Sequence, residues 1–136
     1  MADERVVSTK LEQIEQYHGE LREKQQALSG TDFLTNTTEQ RAVERMFENA
    51  VQACSDLAQH IVTRNFEFDG SSSTEAFRVL AREGVIDGET TDTLVTAVGF
   101  RNVLAHKYGK VDYEEVYKTF QTELEVCNSF SRQIAH

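Results

Sequence analysis

The feature that most constrains the fold of this 136-residue chain is the complete absence of proline. Proline lacks an N–H donor and breaks helices, so no residue of this kind interrupts a helix anywhere in the chain. Apolar residues recur at three- and four-residue spacing in four long segments, and no segment alternates long enough to be a strand. The pattern predicts one all-α domain over residues 1–136, an antiparallel bundle of four long helices and a short one.

The first predicted helix has a thin apolar stripe and should cover the core from one side, ending at Ser29-Gly30. The second, which Thr37 or Thr38 can cap, has the richest stripe and should be the central core helix. Asp112 is the expected cap of the last helix. In chain order the predicted helices cover about 7–28, 37–65, 74–83, 90–108 and 113–134.

Cysteine usage and the lack of long apolar runs predict a cytoplasmic protein. Cys54 and Cys127 lie within apolar helical patterns rather than at metal-ligand spacing, which predicts reduced thiols in the core. No apolar run approaches the ~20 residues that cross a bilayer. The charged start of the chain lacks the apolar region of a signal peptide. We therefore expect neither a membrane partner nor a structural metal.

The formal net charge of −9 argues against a broad nucleic-acid surface, because phosphate binding needs concentrated Lys and Arg. A small basic pocket remains compatible with this charge. Lys107 and Lys110 supply local positive charge close to one another in an otherwise acidic chain.

The helix predicted over residues 90–108 differs from the others, because apolar residues project nearly all around it. Such a helix is expected to be buried. Arg101 nevertheless falls in the middle of an apolar face, and burying an unpaired guanidinium is costly. Two explanations stay open: an internal ion pair with Glu44 or Glu48, or a functional role in a hydrated cleft.

Asn102 and His106 lie four residues apart, which places them on one helical face. A lone histidine in a last helical turn often serves only the helix dipole or is simply exposed. Here it stands with an amide, a cation and the phenol of Tyr108 within eight residues. Gly99 costs about 1 kcal/mol relative to alanine in a helix interior. It could permit close approach of another helix or a ligand, or it could be there only because packing inside the chain leaves no room for a side chain.

The order Arg, four residues, His, one residue, Tyr stands here as the segment 101–108, RNVLAHKY, with a polar residue directly after the Arg. This motif resembles that of the HEPN superfamily in its HepT toxin branch. The helix order, the chain length and the Asp-Tyr start of the final helix extend the resemblance over nearly the whole chain.

The resemblance implies a homodimer in which the two motifs line a shared cleft, and a metal-independent RNA endonuclease that needs no cofactor. It also implies a partner similar to an MntA-type nucleotidyltransferase, which neutralises the toxin by transferring AMP to the motif tyrosine. By position that acceptor would be Tyr108.

The side chains of the motif suit cleavage of RNA by its own 2′-hydroxyl. Histidine is the side-chain type whose unperturbed pKa lies near neutrality, which suits His106 for general acid and base work. Arg101 would hold the phosphate and stabilise its developing charge. Asn102 could orient His106 or bind RNA. Lys107, Tyr108 and Lys110 are the expected substrate-binding residues. The products should carry 2′,3′-cyclic phosphate ends.

One geometric difficulty accompanies this mechanism, because Arg101 and His106 project about 140° apart on a straight helix. Either the helix loosens before His106, or Arg101 of one subunit works beside the motif of the other subunit. Two other functions also stay open. One is a non-catalytic HEPN module that binds a nucleotidyltransferase or a nucleotide, and the other is a plain helical dimer with structural Arg and His.

Overall fold

The computed structural model describes residues 2–66, 72–106, 112–122 and 125–135, with the backbone alone at 103–106, 120 and 122. The described residues form helices and no strand, which confirms the predicted all-α class. In chain order the helices are α1 Glu4–Ala27, α2 Gly30–Thr35, α3 Thr37–Asn65, α4 Ser73–Arg82, α5 Gly88–His106, α6 Tyr113–Thr122 and α7 Val126–Ala135.

Helix α3 is the centre of the bundle and packs against α1, α2, α4, α5 and α7. Its inner side chains, among them Leu57, Ala58 and Val62, are fully buried. The rich apolar stripe of this helix therefore predicted its central position correctly.

Helix α1 lies antiparallel along α3 and covers one side of it. Only Ile14, His18 and Leu21 of α1 are buried, as the thin stripe predicted. The ends of the helix pair are fixed by polar contacts. The backbone N–H of Ala2 donates to Asn65 at 2.7 Å, and Lys24 pairs with Glu39 at 2.8 Å.

Two local features differ from the sequence prediction. A short helix, α2, follows α1 and begins with a capping box formed by Ser29 and Asp32. Its one buried residue, Phe33, is too little for a visible periodicity. The cap of α3 is Asn36 rather than a threonine, because its side chain accepts the N–H of Glu39 at 3.1 Å.

The last predicted helix is described as α6 and α7, which lie on either side of residues 123–124. Asp112 caps α6 as predicted, and its carboxylate accepts the N–H groups of Glu114 and Glu115 at 3.0 and 3.3 Å. Helix α7 packs against α1, α3 and α5, and its Phe130 meets Phe77 of α4 edge to face. Helix α7 therefore completes the core by packing against four other helices.

Both cysteines are free thiols and buried, which confirms their predicted place in the core. Burial raises the pKa of the Cys54 thiol, and a hydrogen bond with Cys127 raises it further. Within the described ranges, no helix is both long enough and apolar enough to cross a membrane.

Candidate functional site

The helix that carries the motif is anchored at its start by Asp87. This carboxylate accepts the N–H of Thr90 at 2.7 Å, which satisfies a free donor of the first turn. That hydrogen bond, followed by one from the Thr90 side chain, lowers the pKa of Asp87. Gln133 of α7 accepts the backbone N–H of Asp87 at 2.7 Å and donates to the Thr90 hydroxyl at 2.9 Å. The start of α5 is thus tied to α7.

Helix α5 has a buried side and an open side within one chain. Leu94, Ala97 and Val98 are buried, whereas Gly99 and Asn102 are exposed. Within one chain α5 is therefore not buried all around, and burial of its open side would require a second chain.

Arg101 lies at the border between these two sides and is half-buried. Its Nη1 donates to Oε1 of Gln52 on α3, and its Nη2 donates to Oδ1 of Asn102 at 3.2 Å. Both partners are neutral amides, so within the described residues the guanidinium is held in place without a carboxylate partner.

The two carboxylates proposed for an internal ion pair with Arg101 have other neighbours. Glu48 lies 3.8 Å from Arg45, one turn before it on the same helix. Glu44 is buried and bonds to Tyr113, which raises the pKa of that phenol. The ion-pair explanation for Arg101 is therefore not supported by its surroundings.

Gln52, which contacts Arg101, makes further polar contacts outside the motif. Gln52 Nε2 donates to Asp56 Oδ1 at 2.8 Å, and Asp56 Oδ2 pairs with Lys10 Nζ of α1 at 3.3 Å. No motif in the sequence points to these three residues. The spacing of Gln52 and Asp56, four apart, shows that they share a face, but not that this face meets Arg101.

The structure describes only part of the rest of the motif. His106 is the last residue of α5, and only its backbone is described. Lys107, Tyr108 and Lys110 lie outside the described residues. Helix α5 is continuous from Arg101 to His106, so it does not loosen before His106. On one chain these two positions stay about 140° apart.

Gly99 lies on the open side of α5, about 20° around the axis from His106 and 60° from Asn102. A Cβ at this position would meet no atom within 4 Å. Packing inside the described part of the chain therefore does not require the glycine, and the explanation of close approach by another helix or a ligand remains.

The sequence matches the family described as Ribonuclease HepT-like over residues 14–134. Two curated relatives carry nuclease names. The tRNA nuclease HepT of Aphanizomenon flos-aquae is 27% identical over 129 residues, covering 95% of this chain and 87% of that protein. The mRNA nuclease HepT of Shewanella oneidensis is 30% identical over 101 residues, covering 74% of this chain and 76% of that protein.

Solved structures agree with this match. A tri-AMPylated HEPN toxin of Shewanella oneidensis, in complex with its MNT antitoxin, superposes with a TM-score of 0.87 at 26% identity, covering 99% of this chain and 98% of that one. YutE of Bacillus subtilis, a cytosolic protein of unknown function, has a TM-score of 0.81 at 18% identity over 98% and 89% of the two chains, and supports the fold alone. With the family match over residues 14–134, these findings show that the chain belongs to the HepT-like ribonuclease family.

Proposed function

We propose that this chain is the toxin of a toxin–antitoxin pair and acts as a metal-independent RNA endonuclease. Membership of a ribonuclease family and the names of both curated relatives support the activity. The main support for the proposal is the exposure of Arg101 and the kind of groups that bind it. Its guanidinium is half-exposed and is held by neutral amide oxygens, so its charge is available to an RNA phosphate.

In the proposed reaction, His106 takes the proton of the RNA 2′-hydroxyl as that oxygen attacks the adjacent phosphorus. The bond from phosphorus to the 5′-oxygen breaks, and the leaving oxygen receives the proton from His106, which gives a 2′,3′-cyclic phosphate and a 5′-hydroxyl end. Arg101 stabilises the charge that develops on the phosphate oxygens. A guanidinium has five N–H groups, and the two bonds to Gln52 and Asn102 leave three for the phosphate.

Asn102 supports the reaction by holding Arg101 and by presenting its amide on the same side of α5 as His106. Lys107, Tyr108 and Lys110 follow His106 within four residues in the sequence. We assign these three residues to binding of the RNA backbone and bases.

The proposed active unit is a homodimer that joins the open sides of two α5 helices. The straight course of α5 keeps Arg101 and His106 of one chain apart, so Arg101 would act beside His106 of the partner subunit. Gly99 would let the two helices approach closely, because it adds no side chain to the open side.

The proposed regulator is a nucleotidyltransferase antitoxin of the MntA type. The related Shewanella oneidensis toxin was solved in an AMPylated form together with its antitoxin. In this chain the Tyr108 oxygen would attack the α-phosphorus of ATP and release pyrophosphate. The added AMP would occupy the place of an RNA phosphate beside Arg101 and would repel the RNA backbone.

The modification is tested by incubating the protein with its nucleotidyltransferase and ATP and mapping adducts by peptide mass spectrometry. We expect AMP on Tyr108 and no neutralisation of Tyr108→Phe. Neutralisation of that variant as readily as wild type would reject Tyr108 as the acceptor.

A toxin that cleaves cellular RNA acts in the cytoplasm, where we also place this protein.

The activity itself is tested with total RNA in EDTA, comparing wild type, His106→Ala and the control His60→Ala. His60 lies on α3 and accepts the backbone N–H of Asp3, away from the motif. Wild type and the control should cleave, and His106→Ala should lose most activity. Cleavage that requires added Mg²⁺ would reject the mechanism. A wild type without any cleavage would reject the nuclease and favour the non-catalytic module.

A further inference from the structure

The contact between Gln52 and Arg101 links the motif to a part of the chain that the motif does not include. Gln52 lies on α3 and accepts a hydrogen bond from Arg101 Nη1. The same amide donates from Nε2 to Asp56 at 2.8 Å, and Asp56 pairs with Lys10 at 3.3 Å. Three helices, α1, α3 and α5, thus contribute to one row of hydrogen bonds that ends at the guanidinium.

The direction of every bond in this row is fixed by chemistry. A lysine can only donate and an ionised carboxylate can only accept, so Asp56 must receive its bonds from both Lys10 and Gln52. The Nε2 group of Gln52 therefore faces Asp56, and its oxygen is left to face Arg101. The orientation of the amide follows from its neighbours, which removes the usual ambiguity between the two ends of a glutamine.

The row also separates the negative charge from Arg101. Asp56 is compensated by Lys10, and the neutral Gln52 lies between the carboxylate and the guanidinium. A carboxylate at position 52 would hold Arg101 equally well, but it would cancel much of the charge that attracts a phosphate. A glutamine at this position therefore supplies a fixed orientation and leaves the charge of Arg101 available.

We propose that Gln52 is a positioning residue for the reaction: it orients Arg101 toward the RNA phosphate through a neutral oxygen. The proposal rests on the proposed function of Arg101 as the phosphate-binding group. Gln52 is exposed, so its replacement should change the stability of the fold very little. A loss of activity in a Gln52 variant can then be assigned to Arg101 rather than to unfolding.

The first test removes the acceptor with Gln52→Met, which keeps the length of the side chain. Losing one hydrogen bond to a charged group should lower kcat/KM about tenfold. The ¹⁵Nε relaxation of Arg101, assigned through Arg101→Lys, should show a more mobile guanidinium group. The control is Gln26→Met, because Gln26 is exposed on α1 near the Lys24–Glu39 contact. That contact lies thirteen residues from Gln52 along α3, about 20 Å away.

The second test, Gln52→Glu, keeps an acceptor for Arg101 and adds a negative charge. Binding of a non-cleavable 2′-O-methyl RNA should weaken, and the slope of log affinity against log salt should become shallower by about 0.7, the loss of one phosphate contact. Gln26→Glu adds the same charge far from Arg101 and should leave the slope unchanged. A slope for Gln52→Glu equal to that for Gln26→Glu would contradict the place of Gln52 beside the phosphate-binding charge of Arg101.

The outcomes separate this proposal from the proposed function. If the wild type does not cleave RNA, the nuclease is wrong, and the relaxation of Arg101 in Gln52→Met still decides whether Gln52 orients it. If Arg101 is as ordered in Gln52→Met as in the wild type, or if kcat/KM is unchanged, the positioning role of Gln52 is wrong.

Discussion

Helices α3 and α5 are neighbours and both are rich in apolar residues, but they differ in how these residues are arranged and in what their exposed sides carry. The apolar stripe of α3 meets five other helices, and its inner residues are fully buried. The apolar residues of α5 project all around, yet Gly99 and Asn102 on its outer side are exposed. The difference indicates that α3 is completed by its own chain, whereas α5 presents a surface that a second molecule is proposed to cover.

The largest expected effect is on activity, at the border of α5. Arg101→Ala should lower kcat about 100- to 1000-fold, as the loss of a charge-stabilising donor does in other enzymes. The midpoint of thermal unfolding should change little, because Arg101 is only half-buried. The matched control is Arg45→Ala on α3, whose side chain is 76% exposed and pairs loosely with Glu48. Equal activities of the two variants in the RNA assay would remove the functional distinction between the helices.

The next effect is on stability, in the core of α3. Leu57→Ala leaves a cavity at a fully buried position and should cost about 3 kcal/mol of unfolding free energy. Urea unfolding monitored by circular dichroism measures this cost. At temperatures where the variant is folded, its cleavage activity per folded molecule should match the wild type. A specific activity that falls as strongly as in Arg101→Ala would mean that the core of α3 contributes to activity as well as to stability.

A third variant tests the open side of α5 directly. Gly99→Leu should weaken the proposed dimer at least tenfold, because a side chain would fill the space between two approaching helices. Gly19→Leu is the control, since Gly19 is an exposed glycine within α1 that also has nothing within 4 Å of its Cβ position. Both variants should keep or slightly raise helix stability. Sedimentation velocity at micromolar concentration compares them, and a monomeric wild type would contradict the proposed dimer.

The smallest effect is expected at the two caps. Asn36 caps α3 with a neutral amide, and Asp87 caps α5 with a carboxylate whose pKa is lowered by the hydrogen bonds from Thr90. A lowered pKa in the folded state stabilises the protein above the unfolded value of about 4, and this contribution is lost as the pH falls through the lowered value.

Asn36→Ala and Asp87→Ala should each lower the unfolding temperature by about 3 °C at pH 7. Near pH 3, the cost of Asp87→Ala should shrink while that of Asn36→Ala stays the same. Thermal scans at the two pH values measure this difference. An Asp87 effect that does not depend on pH would show that its charge is not what holds the start of α5.

The helices were predictable to the extent that they have a periodic apolar stripe. Helix α3 shows such a stripe over 29 residues and was placed correctly at the centre. Helix α2 has six residues and one buried side chain, so only its capping box could have revealed it. The cap at Asn36 was missed because the two threonines after it are also good caps, and only the backbone geometry decides between them.

The candidate site was predictable from the motif itself, but its support was not. Arg101, Asn102 and His106 are close in sequence, so helical spacing relates them without a structure. Gln52 and Lys10 are 49 and 91 residues away from Arg101, and their contacts depend on how three helices pack. The half-exposed state of Arg101 also depends on this packing, so the apolar pattern around α5 left both an internal ion pair and a hydrated cleft open.

The continuous course of α5 from Gly88 to His106 has a consequence for kinetics. A stiff rod cannot bring two positions on different sides of its axis together, so the proposed pairing of Arg101 with His106 requires two copies. Below the dissociation constant, the amount of active enzyme then rises with the square of the chain concentration. A cell that contains the chain far below the dissociation constant would therefore suffer little RNA cleavage. A modest rise in expression would increase cleavage steeply.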